Sequence, residues 1–329
     1  MPNRSVICIG ASAGGLAPLT EILSGIPETL PAALFVVLHM SPDNPSQLPE
    51  ILDRAGPLKA AQAVDGEEIR HGRVYVAVPD HHLLIEENKV RLVRGPRENR
   101  HRPSIDNLFR SAARFHGSRV IGVVLSGSLD DGTAGLIAIK IRGGVAIVQE
   151  PAEAFSSEMP RSAMRYLDVD HVKPAAKIGP LLSRLIREPM RAAQPPVPVE
   201  MVQETKIAKL DLGAVENEDR PGRPSPFACP DCRGVLWEIE EGQLLRFRCR
   251  VGHAFSPETM VLAGDEAIEA ALWEALRAIE ERVSLRRRLA QQARERHLDS
   301  LADHFEKQIP ESEQHVSALR DMLLRAEKT

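Results

Sequence analysis

Val6-Ile7-Cys8-Ile9-Gly10-Ala11-Ser12-Ala13-Gly14-Gly15 is the stretch that decides the fold. A continuous apolar run passes into a turn of small residues, and a helical pattern begins at about Leu16. An apolar run with no polar alternation fits a strand buried on both faces of a parallel sheet. Further runs of the same kind follow: Leu34 to Leu38, Val120 to Leu125 and Val145 to Val148. Amphipathic stretches of crossover length separate them. The reading is an α/β fold, doubly wound around a mostly parallel sheet. Between Gly66 and Val93, Val74 to Pro79 and His82 to Ile85 are joined by a short Pro-Asp-His turn, which predicts one antiparallel hairpin.

A strand, a small-residue turn and a helix start gather backbone N–H groups at one point, able to hold a phosphate or the oxyanion of an acyl-transfer intermediate. A dinucleotide fingerprint wants a middle glycine and an acidic residue ending the second strand. Ser12 and His39 stand in those places. A hydroxyl and an imidazole are groups that acyl transfer uses. The third strand runs into Ser126-Gly127-Ser128-Leu129-Asp130-Asp131-Gly132-Thr133-Ala134-Gly135, so three strand ends bring Ser12, His39 and an acidic residue to one sheet edge. Each alone also fits a humbler role: Ser12 and Asp131 as helix caps, His39 as a surface histidine. Together they form a candidate catalytic triad.

These residues carry a family resemblance. Ile9 to Gly15, Leu38-His39-Met40, Asp65-Gly66, Gly72 to Ala77, Arg102-Pro103-Ser104-Ile105-Asp106, Leu125-Ser126-Gly127, Asp131 to Gly135 and Met159-Pro160 occur in order. Residues 5 to about 187 thus resemble the catalytic domain of CheB-type protein-glutamate methylesterases, which demethylate bacterial chemoreceptors. The resemblance implies Ser12 as nucleophile, His39 as base, Asp131 as the carboxylate orienting it, and catalysis without a cofactor. It also implies a methylated chemoreceptor cytoplasmic domain, or a similar methylated signalling protein, as partner. Glutamine deamidation would share the acyl chemistry. Backbone N–H groups of Ala13 and of the Gly127-Ser128 turn are the expected oxyanion donors. Two departures stand out: Ala13 where the family usually has Thr, and Ser128-Leu129 where it commonly has Met-Gly. Asp130 beside Asp131 offers a second carboxylate, but the D-G-x-x-G run favours Asp131. Chemotaxis members usually carry an N-terminal receiver domain, and this sequence begins at the first catalytic strand. Control in cis by such a domain is therefore not expected.

Downstream, Cys229-Pro230-Asp231-Cys232 and Cys249-Arg250-Val251-Gly252-His253 supply three thiols and an imidazole at spacings that suit tetrahedral zinc. With Cys229, Cys232, Cys249 and His253 all in place, the expected zinc is structural. Gly234 to Ile239 and Leu244 to Arg248 alternate enough for a two-stranded ribbon around Gly242. Arg246, Arg248 and Arg250 read as a solvated face, not a nucleic-acid site. Ile268, Leu272, Leu276, Ile279 and Val283 recur every three or four residues, and Phe305, Val316, Leu319 and Leu323 continue the pattern, predicting a helical hairpin.

Across 329 residues, the expected organisation is a methylesterase-like domain (1–188), a Pro- and charge-rich linker (189–226), a zinc-ribbon-like module (227–256) and a helical tail (257–329). The ribbon and tail offer a surface for a regulatory protein. A net charge of −4 predicts no bulk attraction to nucleic acid or anionic lipid. The sequence shows neither a secretion signal nor an apolar stretch of membrane-spanning length, so a cytoplasmic location is expected. Two other classes compete with the enzyme: a non-catalytic signalling adaptor using the α/β shell and C-terminal module for protein binding, and a nucleotide-binding regulator.

Overall fold

The computed structural model describes residues 4–42, 46–189, 195–211, 213 and 222–326. In chain order the first elements are β1 (Val6–Ala11), α1 (Leu16–Ser24), β2 (Ala33–Leu38), α2 (Leu48–Ala55), β3 (Lys59–Gln62), β4 (Arg73–Val76), β5 (His82–Ile85) and β6 (Val90–Val93). Next come α3 (Ile105–His116), β7 (Val120–Val124), α4 (Thr133–Ile141), β8 (Val145–Gln149), α5 (Glu158–Tyr166), β9 (His171–Lys173) and α6 (Ala175–Leu185). After α7 (Val199–Ala208) come strands β10 (Arg223–Ala228), β11 (Val235–Glu241), β12 (Leu244–Cys249) and β13 (Ala254–Phe255). Helices α8 (Pro257–Glu295), α9 (Asp299–Glu306) and α10 (Ile309–Ala326) close the chain.

Seven strands form one sheet in the order β3-β4-β2-β1-β7-β8-β9, and every pairing in it is parallel. β1, β7 and β8 are buried along their whole length, which is why their sequences lack polar alternation. One face packs Leu19, Ile22, Ile178 and Leu182 against Ile7, Ile9 and Val36. The other packs Leu108, Phe109, Ile139 and Met159 against Cys8, Phe35 and Val124. The chain winds outward from β1 through β2 on one side and from β7 through β8 on the other. The crevice beyond the carboxyl ends of β1 and β7 is thus a topological switch point, where ligands of open α/β sheets gather.

The antiparallel hairpin exists, but one strand later than the expected pairing. β4 joins the parallel sheet beside β2 and β3, whereas β5 pairs with β6 as a separate ribbon. The Pro-Asp-His segment links two sheets instead of reversing one, with Asp80 at φ 58°.

The chain divides into two compact units, Met1–Met260 and Val261–Thr329. In the first, β10 to β13 form a four-stranded antiparallel sheet. Parts of the expected linker, residues 190–194, 212 and 214–221, lie outside the described residues. Within it, however, residues 199–208 form α7, which buries Met201, Ile207 and also Glu204. A composition rich in Pro and charge does not disclose this helix, which is anchored by the buried Glu204 carboxylate. The solvated-face reading is corrected for Arg246 and Arg248, which are buried at 2% and 4% exposure, whereas Arg250 is exposed. In the second unit α8 runs antiparallel to α9 and α10, tied by Arg294 to Asp303 and Arg286 to Ser312. Among the described residues no helix is long and apolar enough to cross a membrane.

Candidate active site

β1 ends at Ala11, so Ser12 lies just beyond the sheet's carboxyl edge, where the turn bends into α1. Close packing fixes that turn. A Cβ on Gly10 would lie 2.2 Å from the Ile105 side chain, and one on Gly127 would lie 2.8 Å from Ser12 Cβ. Ser12 N–H donates to the Ser126 carbonyl at 2.9 Å, and Ser126 Oγ donates to the Ala13 carbonyl at 2.7 Å. The loop after β7 thus staples the loop after β1.

His39 follows β2, its N–H bonded to the Ala11 carbonyl at 3.1 Å. Its Nε2 meets Asp131 Oδ2 at 2.8 Å and its Nδ1 meets Ser12 Oγ at 3.1 Å. An ionised carboxylate only accepts, so Nε2 carries the proton and Nδ1 is free to accept from the Ser12 hydroxyl. The structure brings Ser12, His39 and Asp131 together in that order of contact.

Asp131 is buried, and each of its oxygens is saturated. Oδ2 also accepts the Ile105 N–H at 2.7 Å, while Oδ1 accepts from Asn99 Nδ2 (3.0 Å), Ser104 Oγ (3.0 Å) and the Asp106 N–H (3.2 Å). The two N–H groups open α3, so the carboxylate sits on a helix N-terminus. Burial opposes its ionisation, but the hydrogen bonds from His39 and from the Ile105 N–H outweigh it and hold the carboxyl well below the usual range. Asp130 behaves differently: burial pushes it up to about 7 despite the hydroxyl of Ser256 donating to it at 2.8 Å. This separates the neighbouring carboxylates, for only Asp131 touches His39.

His101 stacks on His39 with ring centroids 3.5 Å apart and planes 13° from parallel. Burial first, and His39 second, pull His101 down to about 3, so it stays neutral. Sequence reasoning missed this ring, and it missed Asn99 and Ser104 as partners of Asp131. Ser104, before an apolar helical run, carried a helix-start signal; Asn99 carried none. Asn99 and Arg100 have φ of 50° and 70°, the left-handed region that Asn tolerates better than most residues. Of the expected oxyanion donors, the Gly127 N–H is ruled out because it donates to the Ser156 carbonyl at 3.0 Å.

The cysteine cluster forms as the spacing anticipated. The ligand atoms of Cys229, Cys232, Cys249 and His253 lie within 4.8 Å of one another. Cys232 Sγ to Cys249 Sγ is 3.7 Å, and His253 Nδ1 is 3.6 Å and 3.8 Å from Cys249 and Cys229. Tetrahedral bonds of ~2.3 Å to sulfur and ~2.0 Å to nitrogen place ligand atoms roughly 3.5 to 3.8 Å apart. The donor set therefore fits zinc. Asp231 faces His253 Nε2 at 3.9 Å, the position of an outer partner.

Next to both centres lies a buried ionic cluster that no sequence motif announced. Glu98 pairs with Arg110, Arg246 and Arg248; Glu204 pairs with the same three. Burial raises Glu98, but Arg110, Arg248 and Arg246 outweigh it and hold it well below the usual range.

A family model described as CheB methylesterase matches residues 7–182. A Rhodospirillum rubrum protein named protein-glutamate methylesterase/protein-glutamine glutaminase 2 is 37% identical over 176 residues, 52% of this chain and 48% of that protein. A Leptospira interrogans protein, bearing the same two activities provisionally in its name, is 40% identical over 184 residues, 56% of this chain and 95% of that protein. The crystal structure of the Thermotoga maritima CheB methylesterase catalytic domain superposes with a TM-score of 0.54 at 34% identity, covering 56% of this chain and all of that one.

Proposed function

The chain belongs to the CheB methylesterase family, and from that premise we propose that it hydrolyses glutamyl methyl esters of chemoreceptor-type signalling proteins through Ser12, His39 and Asp131. The contact that carries this reading is His39, held at 2.8 Å from Asp131 and 3.1 Å from Ser12. Ser12 Oγ attacks the ester carbonyl while His39 Nδ1 takes its proton. The tetrahedral oxyanion forms beside the backbone N–H groups of Ala13 and Ser128. Collapse expels methanol, protonated by the imidazolium, and leaves the acyl group on Ser12. Water, deprotonated by His39, then cleaves the acyl-enzyme and releases the glutamate carboxylate. Asp131 stabilises the imidazolium in both halves. A glutamine side chain entering the same site would release ammonia in place of methanol, in line with the second activity in the relatives' names.

The organisation that goes with this reading is a catalytic domain over 1–188, a connecting segment over 189–226, a zinc-ribbon-like module over 227–256 and a helical tail over 257–329. Zinc held by Cys229, Cys232, Cys249 and His253 would stabilise the ribbon and take no part in ester cleavage. Free thiols in that set suit a reducing, cytoplasmic compartment. The ribbon and tail are proposed to receive a regulatory protein.

A serine-reactive fluorophosphonate, followed by methanol release from methylated receptor, tests the activity. Wild type should be labelled and active, and Ser12→Ala neither. An unlabelled, inactive wild type would leave the adaptor reading standing.

A further inference from the structure

The residues that touch Asp131 from outside the triad lie between Asn99 and Asp106, on the loop before α3 and on the first turn of that helix, and the ribbon grips the loop from behind. Asn99 donates its backbone N–H to the Ala254 carbonyl at 2.8 Å, and its side-chain Oδ1 accepts the Ser256 N–H at 3.1 Å. With the oxygen engaged there, Nδ2 must face the other way. It donates to Asp131 Oδ1 at 3.0 Å and to Asp106 Oδ2 at 2.8 Å. Turning the amide over would set its oxygen against the Asp131 carboxylate and its NH₂ against an N–H, so the partners select one orientation. Two residues earlier, the Arg97 carbonyl accepts the Ala254 N–H at 3.2 Å, and one residue earlier Glu98 receives Arg246 and Arg248. Two residues later, His101 stacks on His39. Ala254 follows His253 directly, and the His253 carbonyl accepts the Cys249 N–H at 2.9 Å. From the metal ligands to the general base the chain of contacts is unbroken.

Building on the hydrolase reading above, we propose that Asn99 is a positioning residue for Asp131, and that the Cys229, Cys232, Cys249 and His253 module holds it in register through Ala254 and Ser256. The ribbon is then part of the active site's support, and metal loading controls catalysis without touching substrate. Loss of one hydrogen bond to a charged group corresponds to about a tenfold effect.

The test uses the full-length chain. Asn99→Ala should lower kcat about tenfold with KM unchanged, and move the acid limb of the pH-rate profile. Stripping metal with a chelator, verified by atomic emission, should cause the same loss in wild type and add little to Asn99→Ala, because both break one chain of contacts. Hydrogen exchange gives a readout independent of turnover: the Ile105 amide, which donates to Asp131, should lose protection in both cases while β7 amides keep theirs. Should chelation unfold the chain, Ser256→Pro, which deletes the N–H given to Asn99, supplies the same readouts. An Asn99→Ala protein with unchanged kcat and Ile105 protection overturns the positioning role. A metal-free wild type with both unchanged overturns the ribbon's part. A wild type that releases no methanol and takes no label refutes the hydrolase reading instead, and Ile105 exchange still decides the positioning.

Discussion

Asp131 and Glu98 are both buried carboxylates of the first unit, both held ionised against their burial, and they reach that state by opposite means. Asp131 is surrounded by neutral donors: two helix N–H groups, an amide, a hydroxyl and an imidazole. Glu98 is surrounded by cations, Arg110, Arg246 and Arg248. Dipoles leave the net charge beside His39 negative, which suits the proposed reaction, in which the imidazole becomes cationic. Full cations would cancel that charge. The active site is therefore built from dipoles, and the docking of the ribbon is built from ions.

The largest expected effect comes from breaking the dipole-built centre. In Asp131→Asn the residue presents an NH₂ to a site made wholly of donors and no longer fixes the proton on His39 Nε2. A fall in kcat of about ten-thousandfold is expected, as for the corresponding change in a serine protease triad. Steady-state methanol release measures it, and a loss under tenfold would mean that His39 is oriented by something else.

Breaking the ion-built centre should cost stability before activity. Glu98→Gln leaves three guanidiniums to Glu204 and the edge carboxylate of Glu241, an excess of buried positive charge. A loss of about 3–5 kcal/mol is expected, read from chemical denaturation. Acid probes the same cluster without mutation. Burial opposes the ionisation of Glu204, but Arg110, Arg246 and Arg248 hold its pKa down to about 2, against an ordinary 4.5. Because the folded state resists the proton that the unfolded chain accepts, this stability is complete above pH 4.5 and drains away as pH falls towards about 2. A denaturation midpoint that stays flat through that window would show that the cluster contributes little.

The two centres also differed in how far the sequence disclosed them, for a physical reason. Ser12, His39 and Asp131 each follow an apolar strand of one parallel sheet, and parallel strands deliver their carboxyl ends to a common edge. Local patterns were enough to converge on them. The cysteine cluster was equally legible, since its ligands come in two short runs whose spacing reflects metal geometry. Glu98, Arg110, Glu204, Arg246 and Arg248 come from a loop, from α3, from β12 and from a stretch that composition marked as linker. A charged residue on a strand or helix ordinarily faces water, and nothing in the local pattern of Arg246 says otherwise. Only the partner surface decides, and that is a tertiary fact. Asn99 was hidden likewise, because its value lies in joining both centres.

Strain adds a third contrast. Leu129, two residues before Asp131, has φ 61°, a region that costs a branched residue about 1 kcal/mol or more. The family commonly has glycine in this place. Leu129→Gly should stabilise the fold by roughly 0.5–1 kcal/mol, the relief of strain being partly offset by the entropy of glycine. The Leu129 N–H still donates to Glu158 Oε2 at 2.6 Å in either case, so thermal unfolding isolates the backbone term. A destabilised variant would show that the leucine side chain earns its place by packing.

The smallest effect is expected from an arginine in the same ribbon as Arg246. Arg223 reaches Glu238 at 3.1 Å, much like the buried pairs, but its side chain is 72% exposed. Water screens the attraction, and the long side chain must be ordered to make it, so the pair contributes a few tenths of a kcal/mol. Arg223→Ala should therefore leave the unfolding midpoint almost unmoved, whereas Arg246→Ala strands Glu98 and Glu204 with fewer cations and should cost several kcal/mol. If the two substitutions cost the same, burial would not be what distinguishes the arginines, and the ion-built docking of the ribbon would lose its basis.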